Sequence, residues 1–320
     1  MTTQNRSLSL QRIGPGFLLV ALGAAFWGTD ALFRRGLALE LPASVVVFWE
    51  HLILVLLTLP LLIRFLRSMP RLNARDVIAI LFVGIGASAV ATILFTQAFT
   101  YGDPTTPLLI QKLQPLVAVA LAYLLLKERL LPRYGMYFLF AVGGAYLITF
   151  SDPTSVALGE LAPALYAAGA ATLWATGTVL GRYLSAKIRP KELTAVRFAV
   201  GLPAAAVIVL VAGEGTTAMS VSFGELGALF ALALVPGLAA LMIYYQGLAR
   251  TPASSATLAE LAFPLTAILI GWLVFEVTPT TTQWIGIFTL MATIVAMSRA
   301  ATRGSQALGV RSPDLVTTNN

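Results

Sequence analysis

Residues 95–116 read FTQAFTYGDPTTPLLIQKLQPL, and residues 244–265 read YYQGLARTPASSATLAELAFPL. One constant offset lays Gln97 on Gln246, Gln111 on Glu260 and Pro115 on Pro264. Further upstream, with an offset only two residues different, Trp27, Thr29 and Arg35 fall on Trp174, Thr176 and Arg182. The chain is therefore duplicated over most of its length. Each copy holds an odd number of apolar spans, so the second copy enters a membrane from the side opposite to the first. Two such copies are related by a pseudo-twofold axis in the membrane plane, an arrangement that places a substrate site at the repeat interface near mid-bilayer.

Composition supports the membrane reading. Of 320 residues 58% are hydrophobic and 11% charged, with a mean hydropathy of +0.85, well outside the range of soluble domains. Crossing the hydrocarbon takes about 20 apolar residues per helix. Runs of that kind occur at 15–33, 43–65, 77–99, 104–126, 132–150, 160–183, 191–212, 224–248, 252–275 and 283–301. Lipid offers no partner for an open backbone, and the alternation of a closed barrel is absent, so every span is expected to be helical. The expected fold is an all-α membrane protein with ten transmembrane helices in two inverted five-helix repeats. Residues 1–14 form a cytoplasmic N-terminal segment, 15–151 the first repeat, 160–301 the second, and 302–320 a cytoplasmic, disordered tail. The first span is no cleaved signal peptide, because it runs on through Phe33 without a polar cleavage region and has a counterpart in the second repeat.

Charge predicts the orientation. With the N-terminus inside, seventeen of the 21 Lys and Arg fall on cytoplasmic segments, whereas the outside loops receive only Arg34 and Arg35. That bias places both termini in the cytoplasm of a bacterial inner-membrane protein. It also explains the net charge of +7 without invoking nucleic acid, since the basic residues are spread over separate loops. Cysteine is absent and histidine occurs once, which excludes thiol chemistry and a multi-histidine metal site. No HExxH, G-x-S-x-G or nucleotide-binding motif is present, so neither an intramembrane enzyme nor an ATP-driven pump is expected, and no cofactor is implied.

An ionisable side chain at mid-membrane needs a partner or a water-filled cavity. The second span carries Glu50 and His51, and Arg197 stands opposite Glu50 in the repeat alignment. These three read as a gating or charge network, or as a permanent bridge across the pseudo-twofold. His51 alone reads first as a hydrogen-bonded helix contact. Asp30 lies four residues before Arg34, the spacing of an intrahelical ion pair. Gln111 and Lys112 precede Pro115, and Glu260 precedes Pro264, so both halves place polar groups beside a helix-breaking residue. Together with Trp27, Trp174 and Gln246 they form the candidate substrate-binding set: Trp27, Gln111, Lys112, Trp174, Gln246 and Glu260. Aromatic walls with a few polar groups suit an organic molecule with an apolar body and a polar head. Interfacial anchoring is the competing explanation for any one Trp or Tyr.

The tandem five-helix units open with the related stretches WGTDALFRR and WATGTVLGR and end in Pro-containing fourth helices, and KERLLP follows at Lys127–Pro132. This pattern resembles the drug/metabolite transporter superfamily, in particular its EamA-type ten-helix exporters and, among them, bacterial aromatic amino acid exporters. The resemblance implies a carrier that exports aromatic and other neutral amino acids, or related small metabolites, by alternating access around a central cavity. The partners it implies are a small-molecule substrate and membrane lipid, with protons as a candidate coupling ion. The sequence departs from the family's pattern at the second helix, where arginine is frequent: the first half has Glu50 and His51, and only Arg197 fits. A multidrug exporter of the same superfamily and a non-transport scaffold or receptor are the alternatives.

Overall fold

A computed structural model describes residues 15–101, 104–126, 133–150, 152, 158–248, 259, 260 and 262–307. Among them there is no strand; ten long helical segments follow the expected order, with one short helix, Gly215–Met219, between the seventh and the eighth. They are α1 (Pro15–Glu40), α2 (Ala43–Arg67) and α3 (Ala74–Ala98). Next come α4, made of Thr105–Ile110, Gln111–Leu113 and Gln114–Leu126 in succession, and α5 (Tyr134–Thr149). The second half comprises α6 (Leu158–Leu184), α7 (Pro190–Val211), α8 (Phe223–Leu232, Ala233–Ala239 and Ala240–Leu248 in succession), α9 (Ala262–Phe275) and α10 (Thr281–Ala307). Six of these, α1 to α4 with α7 and α8, contain stretches long and apolar enough to cross a membrane unaided.

Two boundaries differ from the sequence reading. α1 does not stop at Phe33 but continues to Glu40, with a turn at Thr29 where the hydroxyl donates to the Phe26 carbonyl at 2.7 Å. Arg34 is therefore no loop residue; it is a buried helical one, 3% exposed. At the other end α10 runs to Ala307, into the segment expected to be a disordered tail. KERLLP, most of the 151–160 connection, and residues 249–258 lie outside the described residues.

Local chemistry repeats between the halves more closely than the sequence alignment suggested. α3 opens on a capping box in which the Asn73 side chain accepts from the Asp76 backbone at 3.0 Å and the Asp76 carboxylate accepts from the Asn73 backbone at 2.8 Å. Ser222 and Glu225 build the same box at the start of α8. Both helices then widen into a π-helical stretch, Phe82–Val90 in α3 and Ala233–Ala239 in α8. Under the repeat offset 84–90 fall on 233–239. Pro236, without an N–H to give, sits inside the second stretch. Pro163 and Pro203, by contrast, lie inside continuous helices and do not interrupt α6 or α7.

Side-chain links establish the inversion. The Arg64 guanidinium at the end of α2 meets Glu192 at the start of α7 at 3.2 Å. Tyr183, at the end of α6, and Lys187 just beyond it reach Asp76 at the start of α3. The ends of α2 and α6 therefore share one face with the starts of α3 and α7, and we call it the 68–73 loop face. α1 runs away from that face and ends at the 40–42 loop on the opposite side, whereas its repeat counterpart α6 runs toward it. The halves exchange partners: α1 packs on α8 and α9, α6 on α3 and α4, while α2 meets α7 and α5 meets α10 across the pseudo-twofold.

Small residues allow these approaches. A Cβ on Gly23 would lie 2.7 Å from the Tyr244 backbone nitrogen, and one on Gly286 would lie 2.7 Å from the Gly144 carbonyl oxygen. At the α5–α10 seam Gln283 also donates to the Ile148 carbonyl at 3.1 Å. The large exposed side chains, such as Leu139, Val211 and Phe288, clothe the perimeter as a lipid-facing surface requires.

Candidate functional site

At the centre one apolar cluster spans both repeats, with buried Phe95, Leu108 and Phe263 and partly buried Trp27 and Trp174 packed against them. Trp27 tilts onto Tyr244 with ring centroids 4.8 Å apart, and Trp174 meets Phe95 edge-on at 5.0 Å. The two tryptophans that open the repeat signatures thus face aromatic partners on the third helix of the opposite repeat.

Polar groups enter this cluster from α4 and from the residues just before α9. In α4 the α-helical path tightens to a 3-10 turn at Gln111–Leu113, immediately before Pro115. Pro115 cannot donate to the carbonyl of residue 111, and the i to i+3 bond from Gln114 uses that carbonyl instead. The tighter turn presents the Lys112 ammonium over the Phe263 ring, 3.8 Å from its centroid. Glu260 is close enough for its charge to act on Lys112, yet the two form no direct ion pair; the Glu260 carboxylate instead accepts from the Tyr244 hydroxyl. Gln111 contributes a buried amide oxygen that has no hydrogen-bond partner among the described residues. Lys112, Glu260, Tyr244, Trp27 and Phe263 thus form one contact chain joining α1, α4, α8 and α9. Gln246 is different: two residues beyond Tyr244, it is exposed and shares no hydrogen bond with this group.

A second polar constellation lies nearer the 40–42 loop face. Arg34 Nε and Nη2 donate to the two carboxylate oxygens of Asp30 at 2.6 and 2.9 Å. Its Nη1 and Nη2 donate to Glu50 at 3.1 and 3.2 Å, and Nη1 also donates to the Thr96 hydroxyl at 2.8 Å. A guanidinium has five N–H donors, and all of them are used. The expected bridge from Glu50 to Arg197 does not form, because both Glu50 oxygens are taken by Arg34 of its own repeat.

His51 is a helix contact, as its sequence setting suggested. Its Nδ1 lies 2.9 Å from the Val47 carbonyl and its Nε2 2.9 Å from Ser88 Oγ. Its ring fits against Gly201, where a Cβ would come within 2.7 Å of the ring carbon. Arg197 joins the same α2–α3–α7 contact through an Nη2 bond to the Ala87 carbonyl at 3.2 Å. Sequence reasoning missed Arg34 and Thr96 as members of the buried network. The available signal was the Asp30–Arg34 spacing, which reads as a local ion pair when the first span is ended at Phe33.

The grooves on the surface lie elsewhere. One is lined by Leu265, Trp272 and Trp284 on α9 and α10, another by Leu66, Ile80 and Val200 between α2, α3 and α7. Both are apolar and face the lipid perimeter, away from Lys112 and Glu260.

Comparison with known proteins follows this geometry. The EamA-like transporter family matches residues 14–150 and 161–299, one match for each repeat. A protein of Fusobacterium nucleatum named riboflavin transporter ImpX is 28% identical over 81% of this chain and 89% of its own. A riboflavin transporter of Brucella anthropi is 24% identical over 77% of this chain and 84% of its own. The uncharacterized transporter YwfM of Bacillus subtilis is 27% identical over 58% of this chain and 61% of its own. A crystal structure of a protein 20% identical superposes with a TM-score of 0.57 over 92% of this chain and 98% of that one, a likeness of fold.

Proposed function

The chain belongs to the EamA-like transporter family, and on that premise we propose that it carries a small metabolite with a planar aromatic body and a polar edge, riboflavin before others, across the bacterial inner membrane. The observation that carries this reading is the contact chain at the centre, in which Trp27, Tyr244 and Phe263 offer ring faces beside Lys112 and Glu260. An isoalloxazine ring is large, flat and rimmed with hydrogen-bonding atoms. Aromatic faces take up its body, while a cation and a carboxylate address its edge. The two relatives named as riboflavin transporters support placing this substrate first.

Aromatic and other neutral amino acids are the second reading. Lys112 and Glu260 form a cation and a carboxylate that match the two charges of a zwitterion, with Trp27 available for its side chain. In either reading the two repeats rock about the central site by alternating access. The excess of Lys and Arg on alternate loops supports cytoplasmic termini.

Reconstitution into liposomes tests the proposal, with uptake of labelled riboflavin measured beside a labelled amino acid panel. Saturable riboflavin flux, competed by excess unlabelled riboflavin, is expected. Tryptophan and phenylalanine flux without riboflavin flux would hand the site to the second reading, and a folded, inserted protein that moves neither would overturn both.

A further inference from the structure

The Arg34 constellation lies outside the central contact chain and carries an imbalance that the centre does not. Two carboxylates, Asp30 and Glu50, share one guanidinium, and all three side chains are largely or wholly buried, with Arg34 4%, Asp30 13% and Glu50 8% exposed. Formal charge leaves one negative charge in excess, in a part of the chain where an uncompensated charge is costly. The donors are exhausted as well, because each of the five N–H groups of Arg34 already has an acceptor.

The two carboxylates differ in their tie to Arg34. Asp30 is four residues from it on the same helix, so the pair moves as a unit. Glu50 stands on α2 and Thr96 on α3, so any separation of α1 from α2 takes the guanidinium away from Glu50 alone. What remains is a neutral Asp30–Arg34 pair and an orphaned carboxylate among apolar neighbours. A proton on that carboxylate removes the charge, at far lower cost than burying it bare.

Among the described residues no other ionisable group beside the triad supplies the compensation. On α2 the neighbour is His51, whose ring is committed to the Val47 carbonyl and Ser88 Oγ. The Ala91–Ala98 part of α3 contains no ionisable side chain, and neither does α9. The first turn of α8 contributes only Glu225, which caps its own helix through Ser222. Arg35 turns to the Phe275 ring, and Arg197 reaches the α2–α3–α7 contact with Nη2 on the Ala87 carbonyl.

We propose that Glu50 is a proton-binding site of this carrier: when α1 parts from α2, a proton from the aqueous phase on the 40–42 loop face binds the Glu50 carboxylate as Arg34 leaves it, and the proton is released when the five-bond latch re-forms. One proton is bound and released per opening, with no other group changing charge. The site requires neither riboflavin nor an amino acid as cargo.

Infrared difference spectroscopy on the full-length protein in liposomes tests this without any substrate. As the medium is acidified from about pH 9 to about pH 6, a range in which solvent-exposed carboxylates stay ionised, the wild type is expected to gain the carbonyl stretch of a protonated carboxyl group. Glu50→Gln is expected to lose that band, and Glu50→Asp to keep one at a shifted frequency. Glu260→Gln retains the wild-type band. Absence of the band in the wild type, its persistence in Glu50→Gln, or an unshifted band in Glu50→Asp overturns the proposal. Since the wild-type titration and Glu50→Asp each decide independently, a poorly folding Glu50→Gln does not shield the idea. Failure of riboflavin flux leaves this test intact, so the two readings fail separately.

Discussion

Arg34 and Glu50 meet in a two-point contact across α1 and α2, Nη1 to Oε2 at 3.1 Å and Nη2 to Oε1 at 3.2 Å. Such fork-to-fork pairing fixes orientation as well as distance. Removing the cation leaves two carboxylates buried together, so Arg34→Met is expected to destabilise the protein by about 3–5 kcal/mol, the usual loss when one member of a buried ion pair is deleted. Arg34→Lys restores the charge but cannot make five bonds and recovers only part of the loss. The triple variant Asp30→Asn, Arg34→Met, Glu50→Gln should be more stable than Arg34→Met alone. Thermal unfolding in detergent, followed by size-exclusion chromatography, reads the order; equal midpoints for wild type and Arg34→Met would show that the network holds nothing together.

The α1–α8 seam depends on absent side chains. A Cβ on Gly247 would meet the Val20 backbone nitrogen at 2.5 Å and the Gly16 carbonyl oxygen at 2.7 Å, and backbone atoms cannot swing aside as a side-chain tip can. Gly247→Ala and Gly23→Ala are therefore expected to cost about 1–3 kcal/mol each by overpacking. Gly143→Ala is the matched control, since nothing lies within 4 Å of its added methyl. If all three variants unfold alike, close packing of α1 on α8 is not what stabilises this seam.

How far the sequence could be read follows from these particulars. The repeat, the helical class and the order of ten segments were legible because hydropathy and the Gln97–Gln246 and Pro115–Pro264 registers are linear signals. Lys112, Glu260 and Trp27 were legible as polar or aromatic residues at matched positions, and the structure brings them into one contact chain. Arg34 was not, because hydropathy ends the span before the Arg34–Arg35 pair and cannot see that Glu50 and Thr96, distant in sequence, satisfy Arg34. Glu50 was paired with Arg197 on symmetry alone, although Arg34 is available within the same repeat. The matched capping boxes at Asn73 and Ser222 were readable in principle, yet the Asn/Ser and Asp/Glu replacements hide the identity from simple alignment.

A latch between the repeats closes the 68–73 loop face. Fully buried Asp76 accepts from Lys187 at 2.6 Å and from the Tyr183 hydroxyl at 2.8 Å. The Asp76 hydrogen bond holds the Lys187 ammonium charged above its ordinary range. A raised folded-state value means that this link is complete at neutral pH and is lost only as pH rises through that value, into the strongly alkaline range. Lys187→Ala should therefore open this face more often at pH 7, whereas raising the pH to 9 should not. The chain has no cysteine, so an Ala79→Cys reporter, buried behind the latch, gives a clean labelling rate. Faster thiol labelling in Lys187→Ala than in the Ala79→Cys parent is the expected result, and identical rates would remove the latch from the opening step.

The central contact chain makes a prediction about cargo. Lys112 is held over Phe263 by the 3-10 turn before Pro115, and it has no ion pair among the described residues to stabilise it independently of substrate. Lys112→Met keeps the apolar stem and removes the charge. It is expected to weaken riboflavin binding by roughly 10-fold, the equivalent of about 1.4 kcal/mol, while leaving insertion and thermal stability near wild type. Phe263→Leu removes the buried ring beneath the ammonium and should also weaken binding, since a desolvated cation–π contact contributes about 2 kcal/mol. Trp27→Phe should reduce quenching of protein fluorescence by bound riboflavin, because the indole faces Tyr244 within the same chain of contacts. Equilibrium titration of tryptophan fluorescence with riboflavin measures all three. Unchanged affinity in Lys112→Met and Phe263→Leu would place the cargo away from α4 and α9, whatever the flux assay shows.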